Sequence, residues 1–111
     1  MLIFKVLRPA EWDELQRDGA TSGAPVDLAD GFVHFSTAEQ LHGTLVKHFS
    51  QENDLMLLAC DASAMSGDLR WEPSRNDALF PHLYRPLRNE DICWSRKLTR
   101  TAAGHETGPL E

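Results

Sequence analysis

The segment that decides the fold is Asp30-Gly31-Phe32-Val33-His34-Phe35-Ser36-Thr37-Ala38-Glu39-Gln40. Residues 31–35 alternate in the manner of a strand, with Phe32 and His34 on the same face. The next four residues have the sequence S-T-A-E, which fits a capping box in which Ser36 caps a helix. The segment therefore predicts a strand that passes directly into the N-terminus of a helix.

This junction is the first candidate site. Unpaired backbone N–H groups at a helix N-terminus suit an anion, and His34 lies just before them. A histidine on an apolar strand needs a hydrogen-bond partner, so His34 is either a structural residue bonded to a backbone carbonyl or a functional one. Ser36 is either the cap or a free hydroxyl. If Ser36 is the cap, Thr37 is the freer hydroxyl.

A second polar pair, His82 and Tyr84, lies in the segment from residue 80 to 87. Its spacing of two residues matches that of His34 and Ser36, and such spacing places both side chains on one face of an extended segment. Prolines near both ends of the segment favour an edge or irregular strand. The presence of this second pair favours the functional interpretation of His34.

Glu72 is a further candidate. It lies at the end of a short predicted strand, next to Pro73. A carboxylate in such a place can stabilise a developing positive charge, as in glycoside cleavage. An ordinary ion pair with Arg70 or Arg75 is the alternative interpretation.

Charge and composition exclude several classes of function. The net charge of −6 argues against nucleic-acid and membrane-surface binding. No signal peptide or apolar run of membrane-spanning length is present, and Cys60 and Cys93 fit buried free thiols, so we expect a cytoplasmic protein. The histidine spacings match no metal-binding pattern, and we predict no metal site. A basic cluster that includes Arg85 is either a solvated face or a phosphate contact.

The order of predicted elements gives the fold class. Strands and helices do not alternate regularly, so we expect a single α+β domain over residues 1–98, with two or three helices packed on a mostly antiparallel sheet. The run from Asp54 to Asp61 is the predicted central strand, and residues 21–30 are a predicted loop. Residues 99–111 have no apolar period and are expected to be a disordered tail whose last two residues resemble a vector-derived end.

The motifs Gly31-Phe32-Val33-His34-Phe35-Ser36-Thr37 and Phe80-Pro81-His82-Leu83-Tyr84 resemble those of a family catalogued as domain of unknown function 952. The resemblance covers residues 1 to about 98. It implies a compact relative of the ADP-ribosyltransferase fold, in which a cleft of the split sheet binds NAD. The chain departs from the family pattern at Lys5, where the pattern usually has histidine.

The resemblance also implies roles for the candidate residues. Glu72 and His34 would be catalytic, with NAD as a substrate rather than a bound cofactor. The ligand-binding residues would be Lys5, Ser36, Thr37, His82, Tyr84 and Arg85. The alternative is a non-catalytic domain that keeps the cleft for a small ligand or a protein partner. We expect the function to be nucleotide binding, with or without ADP-ribosyltransferase-like or NAD-glycohydrolase-like catalysis.

Overall fold

A computed structural model describes residues 1–111 as ten strands and three α-helices, with short 3₁₀ turns between some of them. The helices are α1 (Pro9–Asp18), α2 (Pro25–Asp30) and α3 (Ala38–Phe49). The strands are β1 (Leu2–Leu7), β2 (Ala20–Thr21), β3 (Val33–His34), β4 (Met56–Asp61), β5 (Leu69–Pro73), β6 (Leu79–Leu83), β7 (Leu87–Arg88), β8 (Ile92–Lys97), β9 (Thr99–Thr101) and β10 (Gly104–Glu106). None of the helices is long and apolar enough to cross a membrane.

The architecture is α+β, with every strand pair antiparallel. One three-stranded sheet has the order β1-β4-β8 and a second has the order β3-β6-β5, while β2–β7 and β9–β10 form small ribbons. The predicted α+β class and antiparallel pairing are confirmed. The predicted central strand is also confirmed, because β4 lies between β1 and β8.

Apolar side chains cover both faces of the first sheet. Leu58 and Cys60 of β4 belong to one buried cluster, and Leu57 and Ala59 belong to another that α3 completes. A continuous apolar run is what a strand buried on both faces requires. Burial raises the pKa of the Cys60 thiol to about 12, whereas Cys93 is exposed, so the prediction of two buried thiols is wrong for Cys93.

The two large sheets meet at the segment identified from the sequence. Val33 and His34 pair with β6, and two residues later Ser36 exchanges both backbone hydrogen bonds with Phe4 of β1, each 2.8 Å long. Phe35, between them, is buried in the core. The chain therefore crosses from one sheet to the other within residues 33–36, the crossing segment, and a cleft lies on one side of it.

The helix after this crossing begins one residue later than predicted. Thr37 is the N-cap of α3, with Gln40 completing the capping box, because the backbone N–H of Gln40 donates to the Thr37 hydroxyl. Ser36 is excluded from the cap by its pairing with Phe4. Consecutive hydroxyl residues make the cap position ambiguous by one residue in a sequence.

Three other expectations are wrong. Residues 25–30 of the predicted loop form α2. The segment predicted to be an edge or irregular strand is β6, which is central in its sheet. Pro81 is tolerated there because it lies just past the end of β3: its carbonyl accepts a hydrogen bond from the Phe35 N–H at 3.0 Å, and it has no N–H to return one. The predicted disordered tail contains the β9–β10 hairpin, and Leu110 packs against the core.

Candidate functional site

A cleft of about 710 Å³ lies where the two sheets separate. Its walls come from β1, α2, the crossing segment, α3 and the start of β6. Among the predicted site residues it includes Lys5, His34, Ser36 and His82. The structure thus brings half of the eight predicted residues to one cavity.

Asp27 organises one side of this cleft. Its carboxylate accepts hydrogen bonds from Lys5 Nζ at 2.8 Å and from the backbone N–H of Ala24 and His34 at 2.7 and 3.0 Å. A fourth contact joins it to His34 Nδ1 at 2.5 Å. Asp27 is the only buried residue of α2. The helix is therefore anchored by this carboxylate rather than by an apolar face.

Lys5 lies on the face of β1 that also carries Ile3 and Leu7, and it is only 6% exposed. Burial lowers the pKa of Lys5, and the negative charge of Asp27 opposes that shift. Burial alone would raise the pKa of Asp27, but the hydrogen bond from His34 and the charge of Lys5 hold it at about 2. Lys5 is thus engaged in an internal ion pair.

The low pKa of Asp27 makes a prediction about acid stability. Because the folded-state pKa of about 2 lies below the ordinary value of 3.8, the stabilisation is complete above about pH 5 and is lost as pH falls through about 2, roughly 2 kcal/mol in all. Titration of the Asp27 side-chain carboxyl carbon by NMR should give a midpoint near 2. A midpoint near 4 would contradict the network described above.

His34 is held between two carboxylates. Asp27 contacts its Nδ1 atom, and Asp30 Oδ2 lies 3.0 Å from its Nε2 atom. The Asp27 carboxylate is fully buried, whereas that of Asp30 is 45% exposed and lines the cleft. Asp27 therefore fixes the ring, and Asp30 is the partner that solvent or a ligand can replace.

His82 has a carboxylate of its own. Its Nδ1 lies 2.9 Å from Glu72 Oε1, which also accepts the Tyr84 hydroxyl hydrogen bond at 2.6 Å. The bonds from Tyr84 and His82 lower the pKa of Glu72, and the same carboxylate raises the pKa of Tyr84. Glu72 and Tyr84 lie beside His82 but outside the lining of the cleft.

The two histidines are direct neighbours. His34 is opposite His82 in the β3–β6 register, and their ring centroids are 5.2 Å apart. Phe32 stacks on His82 at 4.1 Å and contacts His34 at 4.5 Å. The structure therefore brings His34, His82, Glu72 and Tyr84 into one contiguous group, of which only the two histidines line the cleft.

The remaining predicted residues have structural partners. Ser36 Oγ lies 2.7 Å from Thr44 Oγ1 of α3, and Thr37 caps that helix. Arg85 forms ion pairs with Asp68 and Asp91 and lines a separate hollow of about 220 Å³. Ser36 is thus in the cleft, whereas Thr37 and Arg85 are not.

Two unpaired cations of the cleft were not indicated by the sequence pattern. Lys47 and Arg75 line the cleft, and neither is ion-paired. Arg8 also lines it, but Glu52 neutralises it through two hydrogen bonds of 2.7 and 3.0 Å. No cluster of three or more His, Cys, Asp or Glu side chains is arranged to hold a metal ion.

Asp27 and Asp30 were missed as well. A signal for Asp27 was present, because a lysine on an apolar strand needs a buried acidic partner. Pro25 followed by Asp27 also fits the first turn of a helix. Both signals indicate residues 24–30, which the predicted loop covered.

Comparison with known proteins adds a family and two solved structures. A family model described as "Protein of unknown function (DUF952)" matches residues 6–95. The crystal structure of protein CC0527 from Caulobacter crescentus has 45% sequence identity and a TM-score of 0.90, covering 95% of this chain and 92% of that one. The solution NMR structure of CC0527, also 45% identical, has a TM-score of 0.82, with coverages of 94% and 90%. No curated protein matches the sequence.

Proposed function

Because this chain belongs to the DUF952 family of proteins of unknown function, its function has to be argued from the cleft, and we propose that it binds a small anionic ligand of the nucleotide class there. The observation that carries the proposal is the pair of carboxylate-bound histidines, His34 and His82, in a cleft that also holds unpaired cations. Nucleotides combine the phosphate and the ring that such a cleft can accommodate.

Charge supports an anionic ligand. Lys47 and Arg75 both line the cleft without a carboxylate partner. The Arg75 guanidinium lies 5.0 Å from the Phe80 ring centroid and only 3.4 Å from the Gln40 carbonyl oxygen, so it is positioned but not neutralised. A cation held in this way in a cavity is a suitable phosphate contact.

The apolar part of the cleft suits a ring. Phe4, Leu41, Phe49 and Phe80 contribute to its walls, and all four are mostly buried. Ligand pockets of several hundred cubic ångströms usually combine such walls with a few polar groups that fix orientation. A nucleobase against these side chains would leave its phosphates for the cations.

The resemblance to ADP-ribosyltransferases makes NAD and ADP-ribose the first ligands to test. In the enzymes of that fold a glutamate stabilises the oxocarbenium-like centre, whereas Glu72 is hydrogen-bonded to His82 and Tyr84. Lys5, at the first-strand position, is bound to Asp27. We therefore propose nucleotide binding without ADP-ribosyl transfer, with Glu72 orienting His82.

Titration with NAD, ADP-ribose and AMP, followed by amide NMR spectra and calorimetry, tests the proposal. We expect shifts around His34, His82 and Arg75. Arg75→Gln should weaken binding about tenfold, because a charge-assisted hydrogen bond to phosphate is lost. The matched control is Arg88→Gln, an exposed arginine outside the cleft, which should leave affinity unchanged. Absence of binding at millimolar ligand would overturn the proposal.

A further inference from the structure

We propose that His34 and His82 are a general acid–base pair that hydrolyses a phosphodiester with an alkoxide leaving group, such as a cyclic nucleotide. The inference rests on the proposed nucleotide site and assigns a reaction to it. The two rings have matched surroundings. Each has Nδ1 within 2.9 Å of a carboxylate, Asp27 for His34 and Glu72 for His82.

These contacts decide which nitrogen is reactive. A carboxylate on Nδ1 favours the tautomer with the proton there, and Nε2 is then the atom that can exchange a proton with a substrate. The same arrangement occurs twice on adjacent strands, in register. Phe32 packs against both rings and limits their rotation. Two oriented imidazoles thus lie next to each other in one cavity.

The Nε2 atom of His82 is buried and has no hydrogen-bond partner in the protein. Buried polar atoms without a partner are rare and costly, and each needs an explanation. His82 is 4% exposed and is one of the residues that line the cleft, so we infer that a substrate oxygen or the attacking water is the partner of this atom.

The Nε2 atom of His34 already has an anionic partner, the exposed carboxylate of Asp30. A carboxylate resembles a phosphoryl group in charge and in its acceptor oxygens. The contact therefore marks a position at which His34 accepts an anion from the cleft side. A bound phosphodiester would replace Asp30 there, and movement of that side chain into solvent would not disturb the buried contacts of Asp27.

The reaction uses water as the only co-substrate. One imidazole removes a proton from water while the water oxygen forms a bond to phosphorus. The bond from phosphorus to the ribose oxygen breaks, and the other imidazole, protonated, gives its proton to that oxygen. The products are a phosphomonoester and a free hydroxyl group. One histidine gains a proton and the other loses one, and exchange with solvent restores both.

The leaving group explains why two histidines are needed. An alkoxide is a poor leaving group unless it is protonated as the bond breaks, whereas a phosphate leaving from an anhydride needs less assistance. Positioned acid–base groups contribute about 10²–10⁴-fold each to such steps. A ribose cyclic phosphate is consequently the substrate class that gains most from this pair.

Steady-state hydrolysis of 2′,3′-cyclic AMP by the intact protein tests the inference. We expect turnover with a bell-shaped pH dependence and a loss of about 100-fold or more in kcat for His34→Asn and for His82→Asn. The matched control is His42→Asn, an exposed histidine of α3 outside the cleft, which should retain full activity. Thermal melts and NMR spectra of each variant establish that it is folded.

Glu72→Gln tests the positioning role separately. It should lower kcat with little change in KM and shift one limb of the pH–rate profile, which a purely structural residue would not do. AMP binding without turnover of the cyclic nucleotide would overturn the acid–base inference and leave the binding proposal standing. If neither AMP nor 2′,3′-cyclic AMP binds, the acid–base inference and the nucleotide-binding proposal are both overturned. Equal activity in the wild type and in both histidine variants would also contradict the inference.

Discussion

Replacing Asp27 with asparagine should lower the free energy of unfolding by about 3–5 kcal/mol, the usual cost of removing one partner of a buried ion pair. The change leaves Lys5 nearly inaccessible to water and without a counter-charge. It also removes the anchor of α2, which buries no other residue. Urea unfolding monitored by circular dichroism gives the measurement.

The matched control is Asp54→Asn. Asp54 forms an ion pair with Lys97 at 3.1 Å, but both side chains are about two-thirds exposed, so the loss should stay below about 1 kcal/mol. Adding Lys5→Met to Asp27→Asn should recover part of the stability, because the buried charge is gone. Equal costs for the Asp27 and Asp54 variants would show that the Lys5–Asp27 pair does not stabilise the fold.

Replacing Leu58 of β4 with alanine should lower the free energy of unfolding by about 2–5 kcal/mol, the second large effect that we expect. Leu58 is 0% exposed and belongs to the apolar cluster between the first sheet and the crossing segment. Its neighbours Ala59 and Leu57 face the opposite cluster, so the strand has little freedom to shift and fill the cavity. Urea denaturation measures this loss, with the dependence of the unfolding free energy on urea concentration fitted for each variant.

Leu28→Ala is the control for Leu58→Ala, with the same atoms removed. Leu28 is 64% exposed on α2, and we expect a change within about 0.5 kcal/mol. A loss at Leu28 as large as that at Leu58 would contradict the described packing and would mean that α2 is covered by another surface in solution.

Elements with a strong apolar period could be predicted from the sequence. The run in β4 and the positions Leu41, Leu45 and Phe49 of α3 are buried as expected, because hydrophobic burial dominates where the pattern is long. Each of these inferences uses only local periodicity.

What could not be predicted depends on contacts between distant residues. The six-residue helix α2 exists because Asp27 meets Lys5, 22 positions away, and isolated helices of that length are unstable. Pro81 suits a central strand only because its neighbour β3 ends beside it. Arg75 is held at the cleft by contacts with the Phe80 ring and the Gln40 carbonyl. The residues next to Arg75 in the sequence do not indicate these contacts.

The crossing at Phe35 and Ser36 has a consequence for affinity. Because the same short segment pairs with β6 and then with Phe4, the separation of the sheets is set by covalent geometry and two backbone hydrogen bonds rather than by a flexible linker. The positions of His34 and His82 are consequently fixed when the chain folds. A ligand that enters the cleft would not have to order them, so the entropic loss on binding falls mainly on the ligand and on the exposed side chains of Asp30 and Lys47.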